Sequence, residues 1–328
     1  MTSKRTTGIS FFLVVCSVLI AQDYHFSGFM QNMVYINPAY AAMPESPEIG
    51  ITYRNQWPGI PATFVTYGAE FVMPVRSLSS GIGISITNDM QGSGVINLTS
   101  ANLLYGYLIK LNRNWQVGTG LSASWVMKQF NADELVFRSD LLNDLGYGYG
   151  TVVYDNYSRS YPDFSIGMIA RYNNALLFGV SAAHLTRPAD TRNTVTDSRL
   201  PLKYTAFVSG RIGGNDRNKD FTVEPAAFFS HQQDNNELMY GSMVSMLSGF
   251  RLGAWLRQNL AFSFDALIVS AGFSWQKYNI TYHYDVNLKK ISFLSTKMAA
   301  HEVTFLYRFE YNDVHKVKRF RKSECPAY

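Results

Sequence analysis

Charge is scarce in this sequence: Asp, Glu, Lys and Arg make up only 16% of its 328 residues, where soluble globular chains carry roughly 25%. Cysteine is nearly absent, limited to Cys16 and Cys325. Loss of an N-terminal segment containing Cys16 leaves a single thiol, so no internal disulfide framework can hold the fold. Beyond that segment no apolar run approaches the ~20 residues that a membrane-crossing helix needs, which excludes a helical membrane protein. Strong charge of one sign is missing as well. The formal net charge is +5, too weak a field to argue for a nucleic-acid partner. What is abundant is apolar and aromatic: hydrophobic residues reach 47%, with 21 Tyr and 22 Phe, so the chain as a whole is not disordered. Two classes remain, a soluble β protein and a membrane β-barrel, whose apolar residues are diluted by alternation.

The N-terminus sets the compartment. Lys4 and Arg5 precede an apolar run from Ile9 to Ile20, and Ala21 offers a small residue before Gln22. This is the layout of a secretory signal over residues 1–21. Leu13-Val14-Val15-Cys16 loosely resembles a lipidation box, but Val15 is bulkier than the small residue usual before a lipidated cysteine. Removing the signal takes Lys+Arg from 29 to 27 against 24 Asp+Glu, leaving +3.

The body of the chain alternates. In 80–89, Ile82, Ile84 and Ile86 interleave with Gly81, Gly83, Ser85 and Thr87, one apolar face against one small or polar face. In 115–125, Trp115, Val117, Leu121, Ala123 and Trp125 face away from Gln116, Gly118, Gly120, Ser122 and Ser124. Segment 278–286 opposes Tyr278, Ile280, Tyr282, Tyr284 and Val286 to Asn279, Thr281, His283 and Asp285, and 303–311 repeats the pattern with Val303, Phe305, Tyr307, Phe309 and Tyr311. A soluble sandwich also alternates, but aromatic residues at the ends of the apolar faces suit an element that crosses two membrane interfaces.

About 14 such segments can be counted between 48 and 310. The connections sort by length: Asn173-Asn174, Leu247 to Gly249 and Gln276-Lys277 are tight, whereas 128–161, 186–201 and 288–300 are the longest. Short turns at one end and long loops at the other is the outer-membrane arrangement. The expected fold is therefore all-β: a transmembrane antiparallel β-barrel over 48–311, with short periplasmic turns and longer extracellular loops. It is preceded by an irregular, periplasmic or plug-like leader over 22–47 and followed by a basic periplasmic tail over 312–328. The leader carries Pro38, Pro44 and Pro47, against strand formation, yet Tyr35, Ile36, Tyr40 and Met43 make it too apolar for a solvated linker. That composition predicts a leader ordered against or inside the barrel.

Chemistry is sparse. There is no nucleophile elbow, no P-loop and no zinc-binding His/Glu pair on a helix, so no catalytic, cofactor-binding or metal residue is assigned. His283 and Asp285 share a face and could serve as metal ligands or as base and orienter, but a polar lumen pair is the plainer account. The run Leu145 to Gly150 looks like a potassium filter, yet that filter needs four helical subunits. Arg54, Arg171, Arg257 and Arg308 fall within strands and are expected to point inward. Either they line a channel as a selectivity ladder, or they pair with acids such as Glu70, Asp265 and Glu310 to hold a polar lumen shut. In the absence of a ring of one sign, pairing is the favoured reading.

An ordered set of short motifs carries a family resemblance. It comprises Phe26-Ser27-Gly28-Phe29-Met30, Asn37-Pro38-Ala39-Tyr40-Ala41 and Tyr53-Arg54-Asn55-Gln56-Trp57-Pro58, then Gly81-Ile82-Gly83 with Asp89 and Gly92. It continues with His184-Leu185-Thr186-Arg187-Pro188, Leu200-Pro201-Leu202-Lys203-Tyr204, Tyr282-His283-Tyr284-Asp285, Ala300-His301-Glu302 and a terminal Cys325-Pro326. Across nearly the whole mature chain this resembles the PorP/SprF family of outer-membrane proteins of Bacteroidota. It departs at Tyr40-Ala41, where the family often has Ala-Gly, and at Ala299-Ala300, where Gly-Ala is common. The resemblance implies a non-enzymatic outer-membrane barrel of the type IX secretion system. Its implied partners are outer-membrane lipid and either periplasmic ring components or a large secreted adhesin, as in gliding motility, with no small-molecule substrate and no cofactor. The residues expected to dock a partner are Asn37, Pro38, Ala39 and Tyr40 in the leader. In the tail they are Lys318, Arg319, Arg321, Cys325 and Pro326. A porin-like diffusion channel is the alternative.

Overall fold

Alternation with a period of two leaves each strand one face for lipid and one for a lumen, and a closed cylinder satisfies every ladder without leaving an edge. The computed structural model describes residues 23–59, 63–135, 155–189, 199–213, 221–288 and 298–310. The signal segment, Leu145 to Gly150 and the tail residues Lys318, Arg319, Arg321, Cys325 and Pro326 lie outside the described residues. The strands are β1 Glu48–Gln56, β2 Phe64–Val75, β3 Ser80–Gln91, β4 Ile96–Lys110, β5 Trp115–Phe130, β6 Tyr157–Tyr172, β7 Leu176–Ala183 and β8 Lys203–Gly210. They continue as β9 Ile212–Gly213, β10 Phe221–Gln232, β11 Asn235–Met246, β12 Phe250–Gln258, β13 Phe264–Trp275, β14 Tyr278–Asn287 and β15 Ala300–Arg308. Each pairs antiparallel with its neighbours, and β1 closes on β15 from Glu48 opposite Arg308 to Gln56 opposite Ala300. β8 and β9 lie on the same partner, β10, on either side of Arg211. They count as one stave, so the barrel has fourteen.

The two ends differ as expected, with two adjustments. Connections 76–79, 111–114, 173–175, 247–249 and 276–277 are tight and share the end where β1 begins and β15 finishes. The turn at 173–175 works because Asn173 and Asn174 sit at φ 48° and 54°, the left-handed region that asparagine tolerates and that matches hairpin twist. The opposite end carries 131–156, 184–202 and 288–299, but also the tight 92–95 and 233–234 turns. β5 and β6 are longer than the sequence suggests. Lys128 pairs with Arg159 and Phe130 with Tyr157, so backbone pairing continues past the point where polar residues end the apolar face.

Parity holds where it was clearest. Leu121 and Trp125 are 53% and 56% exposed on the outer wall, whereas the intervening Ser122 is 7% exposed and faces inward. Rings cluster at the turn end, with Trp115 against Tyr172, Phe250 against Phe273, and Tyr278 against Trp275 and Tyr307. Trp57 with Phe64 and Phe130 with Tyr157 repeat this at the loop end, giving the two aromatic girdles of a membrane barrel. Leu121→Arg should therefore cost about 2–4 kcal/mol of folding free energy in liposomes, and Ser122→Arg clearly less. Equal losses at both positions would refute the assigned parity.

Candidate functional site, a plugged lumen

The interior is occupied by the chain itself. Residues 23–47 run down the lumen from the loop end, where Asp23 meets His184 and Lys203, to the turn end, where the Pro47 carbonyl accepts from the Phe309 amide at 2.9 Å. The leader has little regular structure: a short helix α1, Met33–Ile36, and a single 3₁₀ segment, Pro38–Ala42. Asn37 joins the two and anchors them. Its Oδ1 accepts from the Ala39 amide at 3.0 Å, and its Nδ2 donates to the Met168 and Val180 carbonyls of β6 and β7 at 3.1 and 2.9 Å. The Tyr40 hydroxyl donates to Glu48 at 3.1 Å. The leader residues expected to dock a partner are thus held by the barrel wall.

Glycines make room for this segment. Gly81, Gly106, Gly120 and Gly167 face the lumen against the backbone of Ala41, Ala42 and Ala39 and the side chain of Asn37, where an added methyl would overlap those atoms. On the opposite wall the lumen is apolar, which corrects the expectation of a polar interior. Phe29, Met33, Ile36 and Met43 of the leader pack among buried Phe207, Phe228, Met239, Met243, Trp255 and Ile268. The physical reason is the plug: a lumen filled by protein is a core, and only its unfilled part needs polar walls.

A charged network ties the upper leader to β1, β12, β14 and β15. Arg54 donates to Asp285 at 3.1 Å and to Glu302 at 3.2 Å, and also bonds the Ser27 hydroxyl. Arg257 donates to Asp285 at 3.0 Å and to Asp265 at 2.8 Å. Glu302 accepts from the Ser27 and Gly28 amides at 2.6 and 2.9 Å, so the leader backbone itself completes the solvation of a buried carboxylate. Of the acids expected to pair with these arginines, Asp265 does so, whereas Glu70 and Glu310 do not. Register decides the partners: Arg54 lies directly across from Glu302, while Glu70 sits opposite Gly50, well down the barrel. Arg308 lies across from Glu48 and donates to it at 2.8 Å, and Glu310 instead pairs with Lys277 in the β13–β14 turn. Arg171 donates to Gln116 and the Met43 carbonyl. His283 is buried against Ser270 at 2.7 Å, and Asp285 is held by two arginines, so the two do not act as a base and its orienter.

At the loop end His184, just past β7, bridges two carboxylates, with Nδ1 at 2.7 Å from Asp163 and Nε2 at 2.8 Å from Asp23. Burial disfavours its charge, yet Asp23 and Asp163 outweigh burial and push its pKa up to about 9. A folded pKa above the unfolded one, about 6.5, means the stabilisation is complete below pH ~6.5 and is lost as pH rises through ~9. Hydrogen exchange at residues 23–28 should therefore accelerate between pH 8 and pH 10 relative to the α1 amides. That extra acceleration should vanish in His184→Gln, and its persistence there would remove His184 as its source.

Beside the leader, in the loop-end half, a cavity of about 390 Å³ remains, reaching from Pro38 and Leu104 to Asn259 and Ser263. A sequence family described as "Type IX secretion system membrane protein PorP/SprF" matches residues 18–307. Among solved structures, the Ralstonia pickettii toluene transporter TbuX superposes with TM-score 0.50 at 11% identity, covering 84% of this chain and 92% of its own. The P. putida toluene transporter TodX gives TM-score 0.50 at 9% identity, covering 86% and 95%. At these identities the likeness is one of fold, an outer-membrane barrel. No curated protein matches significantly.

Proposed function

Because the chain belongs to the PorP/SprF family of type IX secretion system membrane proteins, we propose that it serves that system as an accessory outer-membrane component supporting the secretion or surface attachment of a large client adhesin, of the gliding-motility type. The observation that carries this reading is the filled lumen. With residues 23–47 threaded through it and pinned at both ends, the barrel is built as an anchor that works through its two ends. On the periplasmic side the basic run His315, Lys316, Lys318, Arg319, Arg321 and Lys322 supplies steering charge, and Cys325-Pro326-Ala327-Tyr328 supplies specificity toward ring components. Deleting residues 315–328 should leave membrane insertion and heat-modifiable gel mobility intact while abolishing co-purification with the secretion machinery and export of the client. Full export by the truncated barrel would overturn the docking role. The second reading is a diffusion channel, favoured by the loop-end cavity. It requires a path past the leader.

A further inference from the structure

The cavity wall contains polar groups that the protein leaves unanswered. Gln232 at the end of β10 and Gln258 at the end of β12 are 6% and 5% exposed. Gln232 Oε1 accepts from the Asp23 amide at 3.3 Å, but its Nε2 has no partner among the described residues, and neither do Gln258 Oε1 and Glu237 Oε1. All three residues line the cavity. Gln258 reaches it through a register shift between Arg257 and Gln258. Such bulges re-aim a side chain, and here the bulge buries both consecutive residues on the lumen side. Burying a donor or acceptor without a partner is costly, so three together mark a place where something else completes the bonding.

The lining describes that occupant. Four carboxylates, Asp23, Asp163, Glu237 and Asp265, are matched by Lys128, Lys203, Arg257 and His184, so the wall is balanced and favours a neutral guest. Much of the rest is hydroxyl and amide, from Ser85, Ser100, Asn102, Ser122 and Ser124, with apolar surface from Phe228 and Leu104 beside them. The sheet beside the cavity is paired on both sides of β10, β11 and β12, so no strand edge is offered to a peptide backbone there, against recognition by strand addition. A sugar hydroxyl both donates and accepts. It can therefore answer Gln232 and Gln258 whichever way either amide is turned, while its C–H face lies against the apolar part of the wall. The volume falls within the range of about 300–1,000 Å³ typical of small-ligand sites. We propose that this cavity is a binding site for a neutral sugar, free or as the end of a glycan, held by Gln232, Glu237 and Gln258.

The test uses the full-length protein in a detergent without a sugar headgroup. Glucose, galactose, mannose and N-acetylglucosamine are titrated by calorimetry and saturation-transfer NMR, beside galacturonate and a neutral tetra-alanine amide. At least one neutral sugar should bind saturably with Kd of roughly 1 mM or tighter, and galacturonate more weakly. Gln232→Ala and Gln258→Ala should each weaken binding roughly tenfold, about 1.4 kcal/mol, with heat-modifiable mobility retained. Should either variant fail to fold, Ser122→Phe, which narrows the cavity without touching those amides, must produce the loss. An oligosaccharide ending in the same sugar distinguishes the sources: tighter binding than the monosaccharide assigns a glycan end, equal or weaker binding a free sugar. No saturable binding of any neutral sugar, binding unchanged in all three variants, or preference for the peptide amide would each overturn the proposal.

Discussion

Deleting residues 22–47 should convert a barrel of low conductance into an open pore, raising single-channel conductance in planar bilayers roughly tenfold or more toward porin values. The argument is geometric. A barrel of about 8 strands is filled by its own side chains, whereas 16–18 strands leave an aqueous channel. At fourteen staves the wall side chains alone do not fill the bore, and here the leader does. Its removal joins the cavity of about 390 Å³ to the space vacated by α1 and the 3₁₀ segment. The same removal strips the cover from Phe207, Phe228, Met239 and Trp255, so the deletion variant should also unfold at a lower temperature. Gly120→Leu offers a route without deletion. Its side chain would occupy the place of the Ala39 backbone, lifting the 3₁₀ segment off β5 and giving a partial rise in conductance. High conductance of the intact chain would instead favour the diffusion-channel reading.

Sequence periodicity reveals a fold when the two faces of an element meet different solvents. In β3, β5 and β14 one face meets lipid and the other small or polar lumen groups, and there Ile82, Leu121 and Tyr282 can be assigned outward from alternation alone. β10 to β12 are harder, because Phe228, Met239, Met243 and Trp255 face an apolar plug, so both faces are hydrophobic and the contrast fades. Glycine carries a signal that the alternation alone does not explain. Gly81, Gly120 and Gly167 fall on lumen-facing positions where serine or threonine would serve a watery channel, and their absence of a side chain records the close approach of another backbone. The residue types of the ion pairs are legible in the sequence, with Asp265 among the acids that do pair, but which arginine meets which acid is not. Arg54 and Asp285 stand 231 positions apart, and barrel closure and register, which no local pattern encodes, bring them together.

Arg54→Leu should be among the most damaging single substitutions, costing about 3–5 kcal/mol because it strands a buried carboxylate. The two acids it serves will not suffer equally. Asp285 keeps Arg257 at 3.0 Å, whereas Glu302, which is 0% exposed, keeps among the described residues only the Ser27 and Gly28 amides and the Asn32 side chain at 3.4 Å. Those bonds come from the leader, so the penalty falls on the seating of the plug as well as on the strands. Removing both charges should recover part of the loss: Arg54→Leu with Glu302→Leu leaves no unpaired ion, and a buried pair replaced by apolar groups is often close to neutral. The double variant should therefore be more stable than the sum of the single changes by about 1–3 kcal/mol. Replacing Arg211, whose pair with Glu224 is solvent-exposed, should cost under about 1 kcal/mol. Denaturant unfolding of the four variants in liposomes checks the ordering. A loss at Arg54 no greater than at Arg211, or strict additivity of Arg54→Leu and Glu302→Leu, would show that the network does not hold the leader in place.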